Sequence, residues 1–151
     1  MADTYGATST AGAQTRPKVL YPCSQFTLKR NWVGEGPVNL RNAHVSVYLR
    51  GDGLKLHGAQ CYFSVLSGGT SWHYNSHPLE IDDGRWPAQP DKFTLNDDES
   101  LWHRAWASDP STALSVSKVL AECISFEVKL AGFTALPTGK FAMDELEIKL
   151  A

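Results

Sequence analysis

The sequence predicts an all-β fold, an antiparallel two-sheet sandwich with one short helix and an extended N-terminal arm. Three observations lead to this prediction. Apolar and polar residues alternate with a period of two in short segments from residue 21 onward, clusters of Gly, Pro, Asn and Asp separate these segments, and only one segment has helical spacing. Because parallel strands would need helices between them, the strands are expected to pair antiparallel.

The chain has 151 residues, enough for one domain with a single core. Residues 1–19 are rich in Ala, Gly, Ser and Thr and show no periodicity, which predicts a flexible N-terminal arm. Residues 20–151 are then the β-sandwich domain. The first ten residues lack the basic start and apolar stretch of a secretory signal, so export by that route is not expected.

The first half of the domain contains three alternating segments, at residues 42–50, 60–66 and 71–75. The glycines around Asp52 predict a turn after the first of them. The residues expected to face the core from these strands are Val45, Val47, Leu49, Cys61, Phe63, Val65, Trp72 and Tyr74.

The second half begins with a predicted turn at residues 82–84 and continues with strands at 92–95, 124–130 and 141–150. The last strand changes register at Asp144-Glu145, and a bulge there would return both of its apolar sets to one face. The helical segment follows residues 109–112 and is expected to close one end of the sandwich. Its apolar residues at helical spacing are Val116, Val119, Leu120 and Cys123.

Composition excludes several classes of function. A formal net charge of −2 with scattered Lys and Arg makes nucleic acid an unfavourable partner. No apolar run reaches the roughly 18 residues of a membrane span. Cys23, Cys61 and Cys123 have no CxxC spacing and are interpreted as buried or half-buried thiols.

The sequence contains no scaffold typical of an enzyme. The GxSxG, Walker and GxGxxG motifs are absent. His73 and His77 lie on a predicted strand about 13 Å apart, too far to share a metal ion. Acidic clusters at 80–83 and 97–99 are interpreted as solvated loops and not as a glycosidase pair of carboxylates. The prediction is a protein without catalytic activity.

A polar and aromatic surface on the strands favours binding. If the strands lie in one sheet, their outward sides carry planar polar groups and flat rings, which suit the hydroxyls and apolar faces of sugars. The alternative is an ordinary solvent-facing side of a sheet. The candidate residues on these strands are Tyr48, Arg50, Gln60, Tyr62, His73, Asn75 and Glu127.

Four tryptophans fall within residues 72–106. Trp72 and Trp86 are expected to close the core at a sandwich end. Trp102 and Trp106 lie in a segment that reads as a loop, and they are predicted to form an exposed platform for a glycan or another partner.

Residues 40–50, the aromatic-rich middle and residues 141–148 together resemble jelly-roll carbohydrate-binding modules and the wider galactose-binding-like sandwich families. The resemblance covers residues 20–150. It implies binding of a glycan or polysaccharide without catalysis, on the concave sheet or at loop tips. In those modules an Asp of the last strand helps to hold a structural calcium ion, and only Asp144 matches that pattern here.

A freestanding jelly roll with an extended arm also resembles virion decoration proteins. This resemblance implies a structural protein whose residues 1–19 contact neighbouring subunits of a capsid-like homo-oligomer, with the virion surface or the cytoplasm as its location. A glycan-binding module ranks first, a decoration protein second and a hydrolytic enzyme last.

Overall fold

A computed structural model of the chain describes Lys18–Val19, Gln25–Thr27 and residues 36–151. Within these residues it has one α-helix, α1 (Val116–Ala121), and two 3₁₀ turns, Glu99–Leu101 and Pro110–Thr112. The strands of the same residues, in chain order, are β1 (Lys18–Val19), β2 (Gln25–Thr27), β3 (His44–Lys55), β4 (Gln60–Ser67), β5 (Thr70–Tyr74), β6 (Asp82–Asp83), β7 (Asp91–Thr94), β8 (Trp102–Ala107), β9 (Ser125–Ala131) and β10 (Thr138–Lys149).

Two sheets form the sandwich. The first has the strand order β2-β9-β4-β5-β8, and every neighbouring pair in it is antiparallel. The second has the order β1-β10-β3-β6, and β7 also pairs with β3. The predicted all-β two-sheet sandwich is confirmed. The pairing of β3 with β6 is parallel, which the sequence did not predict.

The core lies between the sheets and takes every second residue of the long strands. Val45, Val47 and Leu49 of β3 are buried, and so are the core residues expected from β4. Phe63 connects the layers: its ring stacks on Phe126 of the first sheet at 5.7 Å and meets Phe93 of the second sheet edge-on at 5.7 Å. The predicted alternation therefore assigns the inward residues of β3 and β4 correctly, whereas Ile124, predicted to begin a strand on the apolar side, is exposed.

The glycine segment around Asp52 is a bulge and not the predicted turn. β3 continues through it to Lys55, and the chain reverses afterwards, where His57 and Gly58 have positive φ. Gly53 has a φ of 61° and lies beside Gly139 of β10, where the register between the two strands shifts. The prediction failed because glycines that serve a bulge resemble glycines that serve a turn.

Asp82 and Asp83 were predicted to form a turn with Gly84, but the two aspartates make a short strand beside Arg50 and Gly51. Only Gly84, with a φ of 79°, belongs to a turn. The Asp83 carboxylate accepts a hydrogen bond from the Leu54 N–H at 3.3 Å, which ties β6 to β3.

The predicted bulge in the last strand is confirmed. The register between β3 and β10 shifts between Asp144 and Glu147, and Glu145 has a φ of 46°. Phe141 and Met143 are buried before the bulge. Of the apolar residues predicted after it, Leu146 and Ile148 are partly buried against the same core, and Leu150 is exposed beyond the end of the strand.

The predicted helix is also confirmed. The Ser115 hydroxyl caps α1 by accepting from the Lys118 N–H at 3.3 Å, and Val116, Val119 and Leu120 bury its apolar side against β4 and β5. Cys123, the last residue of the predicted stripe, lies just beyond the helix and is buried.

Cys61 and Cys123 are both buried, as predicted, and burial raises the pKa of each thiol, to about 12 for Cys123. Cys23 lies outside the described residues. So does most of the predicted N-terminal arm, residues 1–17. Lys18 and Val19, its last two residues, pair with Phe141 and Lys140 of β10.

Removing the Phe63 ring tests the inter-sheet contact. Phe63→Ala is expected to lower the free energy of unfolding by about 3–5 kcal/mol, because the residue is fully buried and holds aromatic contacts in both sheets. Leu136→Ala is the control, since Leu136 is exposed, and it should change stability by less than about 0.5 kcal/mol. Equal losses in urea unfolding would contradict this role for Phe63.

Gly139 is expected to tolerate no side chain. A Cβ at Gly139 would lie 2.4 Å from the Gly53 carbonyl oxygen, whereas a Cβ at Gly84 would meet nothing within 4 Å, and both glycines have positive φ. Gly84→Ala should therefore cost about 1 kcal/mol from backbone strain alone, and Gly139→Ala at least twice as much. Thermal unfolding of the two variants measures the difference, and similar losses would show that β3 and β10 do not approach so closely.

Candidate functional site

The outward side of the first sheet collects most of the candidate residues. We call it the polar-aromatic face. Its members come from four neighbouring strands: Gln60, Tyr62 and Ser64 of β4, Ser71 and His73 of β5, His103 and Trp106 of β8, and Glu127 and Lys129 of β9.

One row of this face crosses the sheet in register. Glu127 lies opposite Ser64, Ser64 opposite His73, and His73 opposite His103. Neighbouring strands are about 4.8 Å apart, so the row extends over about 14 Å. It places a carboxylate, a hydroxyl and two imidazoles in one line perpendicular to the strands.

A stacked pair of rings lies beside the centre of this row. The Tyr62 ring and the His73 imidazole are 5.2 Å apart and nearly parallel, with an angle of 13° between their planes. The Tyr62 hydroxyl donates to the Gln60 side-chain oxygen at 2.8 Å, which fixes the tilt of the phenol. Two strands thus present an aromatic surface with polar atoms at its edge.

The serines of the face have hydrogen-bond partners within the sheet. Ser64 Oγ donates to the Trp72 carbonyl at 3.1 Å and lies 3.1 Å from Ser71 Oγ, from which it can accept a hydrogen bond. Both serines are buried. Because they are small, the sheet surface is lower at Ser64 than at the rings and long side chains around it.

Glu127 and Lys129 form an ion pair on β9, with 3.5 Å between Glu127 Oε1 and Lys129 Nζ. Their side chains are only 19% and 16% exposed, which is low for charged residues on the outward side of a sheet. The pair therefore presents a planar carboxylate and an ammonium in fixed positions beside Tyr62 and Ser64, which lie opposite these residues on β4.

Among the buried side-chain nitrogen and oxygen atoms of the described residues, only His73 Nε2 has no hydrogen-bond partner. The residue is 8% exposed. Burial, together with the nearby charges of Lys129 and His103, lowers the pKa of its imidazole to about 4. His73 is therefore neutral at physiological pH. An unpaired buried nitrogen costs free energy, and such groups occur at sites that bind a ligand.

Not all candidate residues meet on this face. Tyr48 and Arg50 belong to β3 in the second sheet, so the assumption that they share a sheet with Tyr62 is wrong. The Arg50 guanidinium pairs with Asp52 at 2.9 Å. Asn75 is exposed in the turn after β5, at the end of the face.

Trp102 is not the exposed platform that was predicted. It lies in β8, is 6% exposed, and its ring meets Tyr74 in the core at 4.7 Å. Trp106 is 54% exposed and lies opposite Ser71 on the polar-aromatic face. A register shift in β8 between these two residues sends their side chains to opposite sides of the sheet. Trp72 is buried as expected, and Trp86 is half-buried.

His103 is the residue of the face that the sequence did not reveal. Its ring centre lies 6.2 Å from that of His73. The segment around it was interpreted as a loop, and a loop gives no periodicity from which to assign a side. The alternation of Trp102 and His103 within a strand was the signal that could have found it.

The structure places the remaining acidic and histidine candidates in local contacts. His77 Nε2 lies 2.6 Å from the Asp91 carboxylate and does not approach His73 as a metal partner. The Asp98 carboxylate accepts from Ser100, and Asp97 accepts from the Ser117 hydroxyl. In residues 36–151 no three His, Cys, Asp or Glu side chains lie close enough to hold a metal ion.

The residues around Asp144 do not fit the calcium ion that the resemblance implied. Its carboxylate accepts from the adjacent Glu145 N–H at 2.8 Å within the bulge of β10. Burial raises the pKa of the Asp144 carboxyl. Among the described residues Asp144 belongs to no group of three or more His, Cys, Asp or Glu side chains that could hold a metal ion.

Within the described residues, no helix is long and apolar enough to cross a membrane.

The sequence matches no protein-family model and no curated protein. Two solved structures resemble the fold. The structure of a family 11 carbohydrate-binding module from Clostridium thermocellum, in complex with a β-1,3-1,4-mixed-linked tetrasaccharide, has a TM-score of 0.50 and 14% identity, covering 100% of this chain and 94% of that one.

The second structure is the family 11 module of the cellulosomal cellulase Lic26A-Cel5E from the same organism. It has a TM-score of 0.48 and 13% identity, covering 99% of this chain and 92% of that chain. The chain thus has the jelly-roll sandwich fold of a carbohydrate-binding module, as the resemblance in the sequence implied. At this level of identity the comparison establishes the fold and not the ligand.

The low pKa of His73 predicts a loss of stability in mild acid. The unfolded chain takes up a proton near pH 6.5, whereas folded His73 does so near pH 4. Stability is therefore full above about pH 6.5 and falls as the pH drops towards 4, by about 2–3 kcal/mol. Urea unfolding from pH 7.5 to 4.5 should show this slope in the parent protein.

Two matched variants separate the contribution of His73 to this slope from that of the other four histidines of the chain. His73→Gln should flatten the slope, because the amide does not titrate, and the exposed His103→Gln should retain it. A slope that is the same in the parent and in His73→Gln would show that His73 is not held neutral by the fold.

Proposed function

We propose that this protein is a glycan-binding module without catalytic activity, and that the polar-aromatic face is its contact surface. The observation that carries the proposal is the unpaired Nε2 of His73, buried in the centre of a row of polar side chains and stacked on Tyr62. Nε2 is closed to solvent in the unbound structure, so a neighbouring side chain would move on binding and let a sugar hydroxyl supply the missing partner. The aromatic surface would contact the apolar side of the same ring.

The chemistry of the face suits a neutral sugar chain. Glu127 and Lys129 neutralise each other, so the face has no net charge that would select an anionic ligand. The neutral imidazole of His73 can donate or accept at Nε2, depending on its tautomer, as sugar hydroxyls also can. Because these groups are already held by the sheet, binding would immobilise few side chains.

The fold supports the same proposal. The family 11 module that shares this sandwich was solved with a β-1,3-1,4-mixed-linked tetrasaccharide, and we choose that glucan as the first probe. The absence of catalytic activity rests on the sequence, which has no catalytic motif, and on the local pairing of the candidate acidic residues.

The alternative, a decoration protein of a virion, depends on contacts of residues 1–19 with neighbouring subunits. All of these residues except Lys18 and Val19 lie outside the described part of the chain, and neither of the two similar structures is a capsid protein. That interpretation stays a prediction.

Affinity electrophoresis through gels that contain mixed-linked β-glucan tests the proposal. The parent protein should be retarded. Tyr62→Ala should weaken the affinity about tenfold, which corresponds to about 1.4 kcal/mol, because it removes the stacking surface. His73→Phe should weaken it by a similar factor, since phenylalanine keeps a ring beside Tyr62 but has no nitrogen.

Arg85→Ala is the control variant, because the Arg85 side chain is 80% exposed and lies outside the face. It should migrate like the parent. If His73→Phe binds as tightly as the parent, the orphan nitrogen has no part in recognition. If the parent is retarded by none of a panel of plant and microbial polysaccharides, the proposed function is wrong.

A further inference from the structure

A groove lies on the opposite side of the sandwich, on the outward face of the second sheet. Its volume is about 930 Å³, within the usual range of ligand sites. It follows β3 between β7 and β10. The residues that define its shape are His44, Ser46, Tyr48, Pro90, Lys92 and Glu147.

The strand register gives the groove a floor and two walls. Ser46 of β3 lies opposite Lys92 of β7 on one side and opposite Glu147 of β10 on the other. Ser46 is the smallest of the three, and the backbones of the two outer strands are about 10 Å apart. A trough therefore lies above Ser46, with a long charged side chain on each wall.

The ends of the groove differ in chemistry. Tyr48 and Pro90 contribute a flat ring and a rigid apolar ring at one end. At the other end His44 Nδ1 lies 2.9 Å from the Thr94 hydroxyl, which orients the imidazole. The groove thus combines an aromatic surface with planar polar groups, as the polar-aromatic face does.

The charges of the groove favour a neutral ligand. Lys92 and Lys149 are balanced by Glu145 and Glu147. Lys92 makes no ion pair with a described residue, and Glu147 has only the exposed Lys149 at 3.8 Å. An ammonium and a carboxylate on opposite walls can each form a charge-assisted hydrogen bond with a hydroxyl between them.

We propose that this groove is a second binding site for a neutral oligosaccharide, so that the module is bivalent. The inference rests on the proposed function of the first face. The two sites lie on opposite outer surfaces of a two-sheet sandwich, so one short oligosaccharide cannot occupy both. The protein would instead connect two polysaccharide chains, or bind an insoluble glucan more tightly than either site alone.

An NMR titration with the β-1,3-1,4-mixed-linked tetrasaccharide tests this proposal, because amide shifts locate even weak binding. Two separate groups of amides should shift in the full-length parent, one around Ser64 and His73 and one around Ser46 and Lys92. Tyr48→Ala should abolish the second group alone, and Tyr62→Ala should abolish or weaken the first group alone.

Lys92→Met is a second groove variant, which keeps the aliphatic stem and removes the charge. It should weaken the affinity of the groove for the tetrasaccharide at least threefold. The spectrum of the unbound protein should not change elsewhere, so this variant shows whether a loss of binding in Tyr48→Ala comes from misfolding. Arg85→Ala should leave both groups of shifts intact.

The outcomes separate the two proposals. Shifts confined to the polar-aromatic face would overturn the second site and leave the proposed function standing. Shifts confined to the groove would overturn the first face, and with it the bivalence, and would leave the groove as a single site. No shifts with this tetrasaccharide or with other neutral oligosaccharides would overturn both. Light scattering adds a further readout: the parent should cross-link soluble β-glucan, and Tyr48→Ala should not.

Discussion

The contact of Phe63 with Phe93 joins the two sheets, and the stacking of Phe63 on Phe126 holds the ring in the core. The orientation of its neighbours on the strand follows from this placement. Because successive side chains of a strand point to opposite sides, fixing Phe63 in the core turns Tyr62 and Ser64 outward. The same constraint acts on β5, where Trp72 and Tyr74 enter the core and leave His73 on the other side. The core thereby determines which side chains lie on the outer face.

The outer face is not simply what remains after the core is filled. An ordinary solvent-facing sheet carries polar groups that water can reach, whereas Ser64, Ser71 and His73 are buried. The two serines find partners and His73 Nε2 finds none among the described residues. A group of this kind destabilises the folded state, so a gain elsewhere, such as the binding of a ligand, would explain its presence.

The sequence predicted which side of a sheet each residue faces better than it predicted which strands pair. Alternation identified the inward residues of β3 and β4 and the bulge at Asp144-Glu145, because both follow from local patterns. It could not show that Tyr48 and Tyr62 belong to different sheets, since strand pairing depends on distant residues. The glycines of β3 were misread for the same reason: the close approach of Gly139, 86 residues after Gly53, makes them a bulge.

The two tryptophans of β8 show how one irregularity alters a site prediction. Trp102 and Trp106 are four residues apart, so a regular strand would place them on the same side. The register shift between them puts Trp102 in the core and Trp106 on the face, and brings His103 next to His73. The chemistry of the site could thus be anticipated from residue types, but its exact membership could not.

His73 Nε2 has no hydrogen-bond partner in the unbound structure, and we propose that a sugar hydroxyl supplies one. The most direct measurement is the ¹⁵N resonance of that nitrogen, followed in the parent protein as mixed-linked tetrasaccharide is added at pH 7, where the imidazole is neutral. We predict that this resonance shifts on saturation, with a hydrogen bond formed at Nε2. Binding of the sugar with an unchanged His73 Nε2 resonance would contradict it.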